Sequence, residues 1–230
     1  MFKARRLRLM EQLSDECSVF IFSGKTVMKS ADEGYPFTVD KNFYYLTGLE
    51  REEMILQITK HKGTVSSTLY IQPYDPVMVK WVGGRMSAEE AKKISGVDQI
   101  RNYGDFEDAV ASLYNWKRTL PEFTVYVDAW RYTSTQADSA AMSFVKLVQN
   151  KYPTWNIKDV FPSLTAMRMV KDETEVNAIV RANEITAEGV RAMMRAMAPG
   201  KREMEMEGVF MLELMKQAEP ERKRERRVVD

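Results

Sequence analysis

The chain has 230 residues, which is long enough for one well-packed domain or for one full domain with part of a second. Hydrophobic residues make up 44% of it and charged residues 29%, so a collagen-like or wholly disordered chain is excluded. The 34 Lys and Arg residues balance the 33 Asp and Glu residues, so no overall positive field favours a nucleic acid as partner.

The single Cys permits no disulfide within the chain, and one His with one Cys cannot form a zinc site from those ligand types. Residues 1–10 are basic and amphipathic but run into acidic residues without the apolar stretch of a secretory signal. No run of about 18 apolar residues is present, so the sequence predicts no membrane-spanning helix. We expect a cytoplasmic protein that acts on neither membrane nor nucleic acid.

The first elements are a short helix and three strands. Apolar residues at helical spacing over residues 2–13 predict a surface helix, with three arginines on its other side: Arg5, Arg6 and Arg8. Short β-rich apolar runs predict strands at residues 18–22, 54–58 and 67–71. Turn residues follow the second strand, and His61 among them is expected to be a solvated loop residue.

Helix-start signals then alternate with one further strand. Ser87 opens a capping-box pattern, and the helix that it begins is expected to end near Gly96. Asp105 and Asp138 are predicted to begin two more helices, on either side of a strand at residues 124–127. This alternation predicts an α/β fold in which helices cover a sheet, although it leaves the strand order undecided.

The chain changes character after Pro162. A capping pattern at residues 172–175 predicts a long helix with an apolar stripe, which ends at Pro199-Gly200 and is followed by a second helical pattern. Two such helices need a partner surface for their stripes. We therefore divide the chain into three parts. These are a domain at residues 1–160, a connector followed by the first helices of an incomplete domain at 161–218, and a charged, disordered tail at 219–230.

Catalytic motifs are mostly absent from the sequence. It contains no nucleophile elbow, zinc-binding helix pair, phosphate-binding loop or dinucleotide fingerprint. Gly83-Gly84-Arg85 comes nearest to an anion-binding turn, a pattern that is common by chance. Acidic residues at positions 203, 205 and 207 do not share one helix face, so we interpret them as solvated rather than as metal ligands.

Two clusters contain unusual residues. Residues 30–48 bring four large aromatic rings into a short segment, for which packing against the sheet is a more frequent use than ligand binding. Asp32 and Asp40 within it could orient a substrate, but capping of turns is the more frequent use. The second cluster is residues 80–85, and its Trp81 is equally consistent with a binding anchor and with a lid on the core.

In their order and separation, these clusters resemble the N-terminal domain of Xaa-Pro aminopeptidases (aminopeptidase P), in the creatinase/prolidase superfamily. The resemblance rests on the following segments: Ser30-Ala31-Asp32, Tyr35-Pro36-Phe37, Asn42-Phe43-Tyr44-Tyr45-Leu46-Thr47-Gly48, Trp81-Val82-Gly83-Gly84-Arg85, Gly96-Val97-Asp98, Met169-Val170-Lys171-Asp172-Glu173-Thr174-Glu175-Val176 and Pro199-Gly200. It covers residues 1 to about 215 and implies a mixed sheet covered by helices, followed by the start of a "pita-bread" peptidase domain.

The resemblance also implies an activity. Family members remove an N-terminal residue that precedes proline, using two divalent metal ions, usually manganese, to activate a water. Their ligands are two Asp, one His and two Glu of the peptidase domain, and none can be assigned to this chain. The resemblance implies substrate-binding or inter-subunit roles for Trp81, Asp32 and Arg85, and a homo-oligomer formed through the N-terminal domain.

Our leading hypothesis is therefore an Xaa-Pro aminopeptidase that is truncated before its metal ligands and is inactive alone. An alternative is a non-catalytic binding or assembly module that reuses the domain and buries its apolar stripe. A third possibility is that the charged tail is a reading-frame artefact and the natural protein is longer.

Overall fold

The computed structural model describes residues 1–74, 86–117, 119–120, 122–130, 133–135 and 137–226, with side chains described as far as Gln217. Backbone contacts divide the chain into two compact units, Met1–Arg168 and Met169–Asp230. In the described ranges, no helix is long and apolar enough to cross a membrane.

The first unit is built on a six-stranded mixed sheet, in the order β6-β5-β4-β1-β7-β8. Strand β4 pairs antiparallel with β1 and β5, whereas β7 pairs parallel with β1 and β8, and β6 pairs parallel with β5. Strands β2 and β3 form a separate hairpin. The strands are β1 (Cys17–Phe22), β2 (Met28–Ser30), β3 (Glu33–Gly34), β4 (Ile55–His61), β5 (Thr64–Ile71), β6 (Gln99–Asn102), β7 (Thr124–Val127) and β8 (Asn156–Asp159).

Helices cover both faces of this sheet. The helices around the sheet are α1 (Phe2–Glu11), α2 (Lys41–Thr47), α3 (Ala88–Ser95), α4 (Phe106–Lys117), α5 (Ala140–Lys151) and α6 (Phe161–Met169). The second unit contains α7 (Glu173–Ala196) and α8 (Glu203–Arg226). A 3-10 turn, Tyr103–Asp105, leads directly into α4. The α/β class with a mixed sheet, expected from the sequence, is confirmed.

Two apolar layers form because side chains alternate along each strand. On β4, Leu56 and Ile58 enter the core under α1, α2 and α6, whereas Ile55 enters the core under α4 and α5. The second layer is rich in aromatic rings, and Phe20 of β1 meets the ring of Phe106 edge-on at 5.6 Å.

Helix ends follow the predicted caps in most cases. The Ser87 side chain accepts a hydrogen bond from the Glu90 amide, and Gly96 ends α3 in the left-handed conformation at φ 61°. Asp172 and Glu175 form the complete capping box that begins α7. The prediction for Asp138 was wrong by one residue, because Ser139 caps α5 and the Asp138 carboxylate pairs with Lys146.

Two of the three arginines expected on the side of α1 opposite its apolar residues are buried. Arg5 is buried, and Arg6 is only 2% exposed. The Arg6 guanidinium donates to the carbonyls of Leu46, Ser95 and Gly96 at 2.7–2.9 Å. These carbonyls lie at the ends of α2 and α3, where the helix offers no backbone partner and the dipole favours a cation. Burial lowers the pKa of Arg6 to about 10.

The second unit is a helical pair formed by α7 and α8. Gly189 is buried at their crossing, and a Cβ there would lie 2.8 Å from the Phe210 ring, so only glycine permits this approach. Helix α8 continues to Arg226, beyond residue 218, where we expected order to end. Large apolar side chains on the pair remain between 37% and 79% exposed: Val176, Ile179, Val180, Val190, Met194, Met197, Met204, Met211, Leu212 and Met215. We call this set the α7–α8 stripe.

Candidate functional site

Of the three residues predicted to act in binding, the structure describes Asp32. Trp81 and Arg85 lie outside the described residues. Asp32 lies in the exposed turn between β2 and β3, directly after Ala31, whose backbone has a positive φ of 44°. Their predicted role in substrate binding or subunit contact therefore remains a prediction.

The second half of the aromatic segment contains helix α2, Lys41–Thr47, for which no helix was predicted. Asp40 caps this helix by accepting hydrogen bonds from the amides of Asn42 and Phe43. The rings of Phe43 and Tyr45 enter the core, whereas Tyr44 is 43% exposed. The capping role of Asp40 and the core packing of two of the four rings agree with the expectation for this segment.

Asn42 connects two charged side chains from distant parts of the chain. Its side-chain amide donates to Oδ2 of Asp128, just after β7, at 2.6 Å. Its side-chain oxygen accepts from the Arg168 guanidinium, in the last turn of α6, at 2.7 Å. We call these three residues the Asn42 junction. Both bonds have a charged partner, the kind of hydrogen bond that contributes most to stability.

Within the junction, Asp128 directly follows β7, which pairs parallel with β1 and β8. Burial raises the pKa of the Asp128 carboxyl above its ordinary value. The hydrogen bond from Asn42 opposes that shift, whereas the nearby carboxylates of Asp40 and Asp159 add to it. Asn42 therefore favours the ionised form of a carboxylate that its surroundings disfavour.

A second set of contacts holds the end of α6. Tyr45 donates through its hydroxyl to the carbonyl of Met167 at 3.3 Å, and Arg8 donates to the same hydroxyl at 3.0 Å. The Arg5 guanidinium lies 4.2 Å from the centre of the Tyr45 ring, as a cation–π contact. Helix α2 therefore fixes both the backbone and the side chain of the last turn of the first unit.

Chemically, this arrangement positions the chain and offers no nucleophile next to a general base. Asn42 and Tyr45 belong to the segment singled out from the sequence, but Asp128 and Arg168 were missed. The one available signal was that Asp128 directly follows an apolar strand, a place where functional carboxylates of parallel sheets gather. Nothing in the local pattern of residues around Arg168 indicates its partner.

The described residues do not fit a dimetal centre. His61 is the last residue of β4 and is half-buried, so its expected position in a solvated loop was wrong. Its Nδ1 lies 2.6 Å from the Glu16 carboxylate, which also accepts from the Lys62 amide. In the part of the chain that the structure covers, no group of three or more His, Cys, Asp or Glu side chains could hold a metal ion. Divalent metals need several such ligands at one point.

Sequence comparisons relate most of the chain to one group of enzymes. The family model "Aminopeptidase P, N-terminal domain" matches residues 2–121. The Xaa-Pro aminopeptidase of Haemophilus influenzae is 25% identical over 209 residues, which are 90% of this chain and 45% of that protein. The Escherichia coli Xaa-Pro aminopeptidase is 28% identical over 90% of this chain and 47% of its own length. The chain thus spans less than half the length of these relatives.

Solved structures agree with these matches. A Bacillus anthracis protein described as an aminopeptidase P superposes with a TM-score of 0.87 and 31% identity, over 94% of this chain and 51% of that one. E. coli aminopeptidase P in its low-pH form superposes with a TM-score of 0.78 and 26% identity, over 94% of this chain and 49% of that one. The likeness therefore extends over both units of this chain and over about half of each neighbour.

Proposed function

The chain belongs to the aminopeptidase P N-terminal domain family, and from that premise we propose that it supplies the N-terminal half of an Xaa-Pro aminopeptidase. The complete enzyme would remove an N-terminal residue that precedes proline, with divalent metal, manganese in the family that the sequence resembles, supplying an activated water. We assign no metal ligand to the described residues, and we infer that the 230-residue chain is inactive alone.

The observation that carries this proposal is the exposed α7–α8 stripe, together with a match to only half of each solved relative. Ten large apolar side chains along two helices are more than a helical pair can leave in water without a partner surface. A non-catalytic binding or assembly module would bury this stripe within the chain or against a partner, and would remain monodisperse. We propose that the stripe packs against the remaining part of a peptidase domain, corresponding to the half of the relatives that this chain does not match.

A peptidase assay tests the inferred inactivity. We expect no release of the first residue from an Xaa-Pro peptide in the presence of manganese, with the E. coli relative as positive control under the same conditions. Manganese-dependent release by the purified chain would overturn the inference, because the chain would then contain a hydrolytic centre that we have not found.

Solution behaviour tests the assignment of the stripe. We expect analytical ultracentrifugation to detect self-association, because exposed apolar helix faces associate with one another. We also expect early proteolysis beyond Lys171, because helices without a packing partner unfold locally and become accessible to proteases. Replacing Ile179 and Met194 with Gln should reduce the self-association, whereas Arg191→Gln on the same helix should not. A monodisperse, protease-resistant chain would instead favour the alternative, a non-catalytic binding or assembly module.

We further propose that the N-terminal unit forms a homo-oligomer, to which Asp32, Trp81 and Arg85 contribute. The support is the hairpin that carries Asp32, where Met28 is 55% exposed, and Val27, directly before the hairpin, is 67% exposed. Met28→Glu should lower the oligomer mass in sedimentation, whereas Lys92→Glu on α3 should not. An unchanged mass in the Met28 variant would contradict this interface. We also propose a cytoplasmic location, which a single cysteine without an intrachain disulfide partner suits.

A further inference from the structure

A groove of about 410 Å³ lies beside α4, on the sheet face that this helix covers. Its lining comes from β4, β5, β6, the 3-10 turn and α4. A sheet face under a helix is normally apolar, because that is where the core forms. Here the apolar side chains of α4, including Phe106, Val110 and Leu113, pack against Phe20, Ile55 and Tyr70, and the strands beyond them carry polar residues.

The floor of the groove is a patch of amide and hydroxyl groups in register. Gln57 lies opposite Thr68, and Thr59 lies opposite Ser66, on the paired strands β4 and β5. Gln57 and Thr59 are less than a tenth exposed. Because successive residues of a strand point to opposite faces, these four side chains share one face of the sheet. The sequence thus places hydrogen-bonding groups where a purely structural face would be apolar.

Hydrogen bonds hold part of this floor in place. The Tyr70 hydroxyl donates to Oε1 of Gln57 at 2.7 Å, and Nε2 of Gln57 donates to the Thr59 hydroxyl at 3.1 Å. In contrast, the hydroxyls of Ser66 and Thr68 have no hydrogen-bond partner among the described residues. Ser66 is exposed and Thr68 half-buried, so the floor combines fixed groups with accessible hydroxyls that can bond a polar ligand.

The rim of the groove carries charges of both signs that do not pair with each other. Arg101 is the one cation among the lining residues, and Asp105 and Asp108 supply two carboxylates. No ion pair joins Arg101 to either carboxylate, although all three side chains line one groove within the described part of the chain. Trp116 adds an aromatic wall. The groove thus offers a cation, two carboxylates and an aromatic ring. These groups complement a small molecule that itself carries both a positive and a negative charge.

We propose that this groove binds a free amino acid or a dipeptide, with the ligand carboxylate at Arg101 and the ligand ammonium at Asp105 and Asp108. The volume lies within the range of small-molecule sites. The three charged residues are exposed, so solvent screens their attraction and the affinity should be weak, in the millimolar range. This proposal rests on the groove alone and does not depend on the proposed function.

Chemically blocked ligands test the proposal on the unmodified 230-residue chain. L-Alanyl-L-alanine is titrated without metal, and amide shifts are followed by NMR, alongside N-acetyl-alanyl-alanine, which lacks the ammonium, and alanyl-alanine amide, which lacks the carboxylate. We expect shifts at Gln57, Thr68 and Arg101 with the zwitterion, and about tenfold weaker binding of each blocked form. Equal binding of all three ligands, no binding, or shifts confined to other residues would overturn the proposal.

Variants then assign each charge. Arg101→Gln should abolish the preference for the zwitterion over its amide and leave the preference over the acetylated form. Asp105→Asn with Asp108→Asn should do the opposite. Arg51→Gln, an arginine outside the groove, should change neither preference, and circular dichroism confirms that each variant is folded. Because the readout is binding without metal, a negative result here leaves the peptidase proposal standing, and the reverse is also true.

Discussion

Replacing Asn42 with Ala is the sharpest test of the junction that holds the end of the first unit. Asn42 is 5% exposed and bonds two charged side chains, Asp128 at 2.6 Å and Arg168 at 2.7 Å. A hydrogen bond to a charged partner is worth about 1.5–3 kcal/mol, and both partners here are partly exposed, so the lower figure applies. We therefore expect Asn42→Ala to lower the free energy of unfolding by about 3 kcal/mol.

A matched control exists on β8. The Asn156 side chain donates to the neutral hydroxyl of Thr124 at 3.1 Å, so Asn156→Ala loses one neutral bond and should cost about 1 kcal/mol. Urea denaturation followed by circular dichroism measures both variants under the same conditions. Equal costs for the two variants would refute the assignment of Asn42 as a bridge between charges.

The pH dependence gives a second, independent reading. Burial raises the pKa of Asp128, so the carboxyl binds a proton more readily in the folded protein than in the unfolded chain. The contribution of Asp128 to stability is therefore present at low pH and falls as pH rises through its ordinary pKa and then its raised pKa. The hydrogen bond from Asn42 favours the ionised form of Asp128 and so reduces the stability that is lost as pH rises. The cost of Asn42→Ala should therefore be larger at neutral pH, where Asp128 is ionised, than at acid pH below its raised pKa, where it is protonated. A cost that does not change with pH would contradict this account.

Other predictions concern the helical pair α7–α8, the buried Arg6, and Glu16, whose carboxylate contacts His61 and Lys62. Gly189→Ala should destabilise the chain in urea melts because a Cβ would lie 2.8 Å from the Phe210 ring, whereas Gly208→Ala, with open space around its Cβ position, should stabilise α8 by about 1 kcal/mol. Arg6→Met leaves three carbonyls without their donor and should cost about 4 kcal/mol, by the same measurement. The backbone amide of Lys62 lowers the pKa of Glu16, so this carboxyl stabilises the fold above its ordinary pKa and the effect is lost as pH falls through the lowered value. Glu16→Gln should therefore reduce the fall in the free energy of unfolding as pH is lowered. The same fall in both proteins would contradict this role of Glu16.

Several elements could be predicted because their signals are local. Strands β1, β4, β5 and β7 each contain a short apolar run, and helices α3 and α7 begin at side chains that cap them. The edge strands β6 and β8 were missed, since each has at most one half-buried residue and no apolar alternation. Helix α2 was missed because its seven residues span less than two full repeats of a helical pattern.

The candidate sites divide in the same way. The aromatic segment around Asn42 was visible because its composition is unusual, and so was the apolar stripe of α7. The partners Asp128 and Arg168 lie 86 and 126 residues away along the chain, so no local pattern indicates them. The polar groove beside α4 went unnoticed, because alternate polar residues on a strand are usually taken to face solvent.

The sequence alone therefore determined the α/β class, most internal strands, the capped helices and the family resemblance, since each depends on residue types within a short window. Only the tertiary structure decided that Arg5 and Arg6 are buried, that Asn42 bridges Asp128 and Arg168, and that opposite charges meet unpaired beside α4. The physical reason is that these features arise when helix ends and strand faces from distant segments come together, and a cation or an amide is stable in the core only where such partners converge.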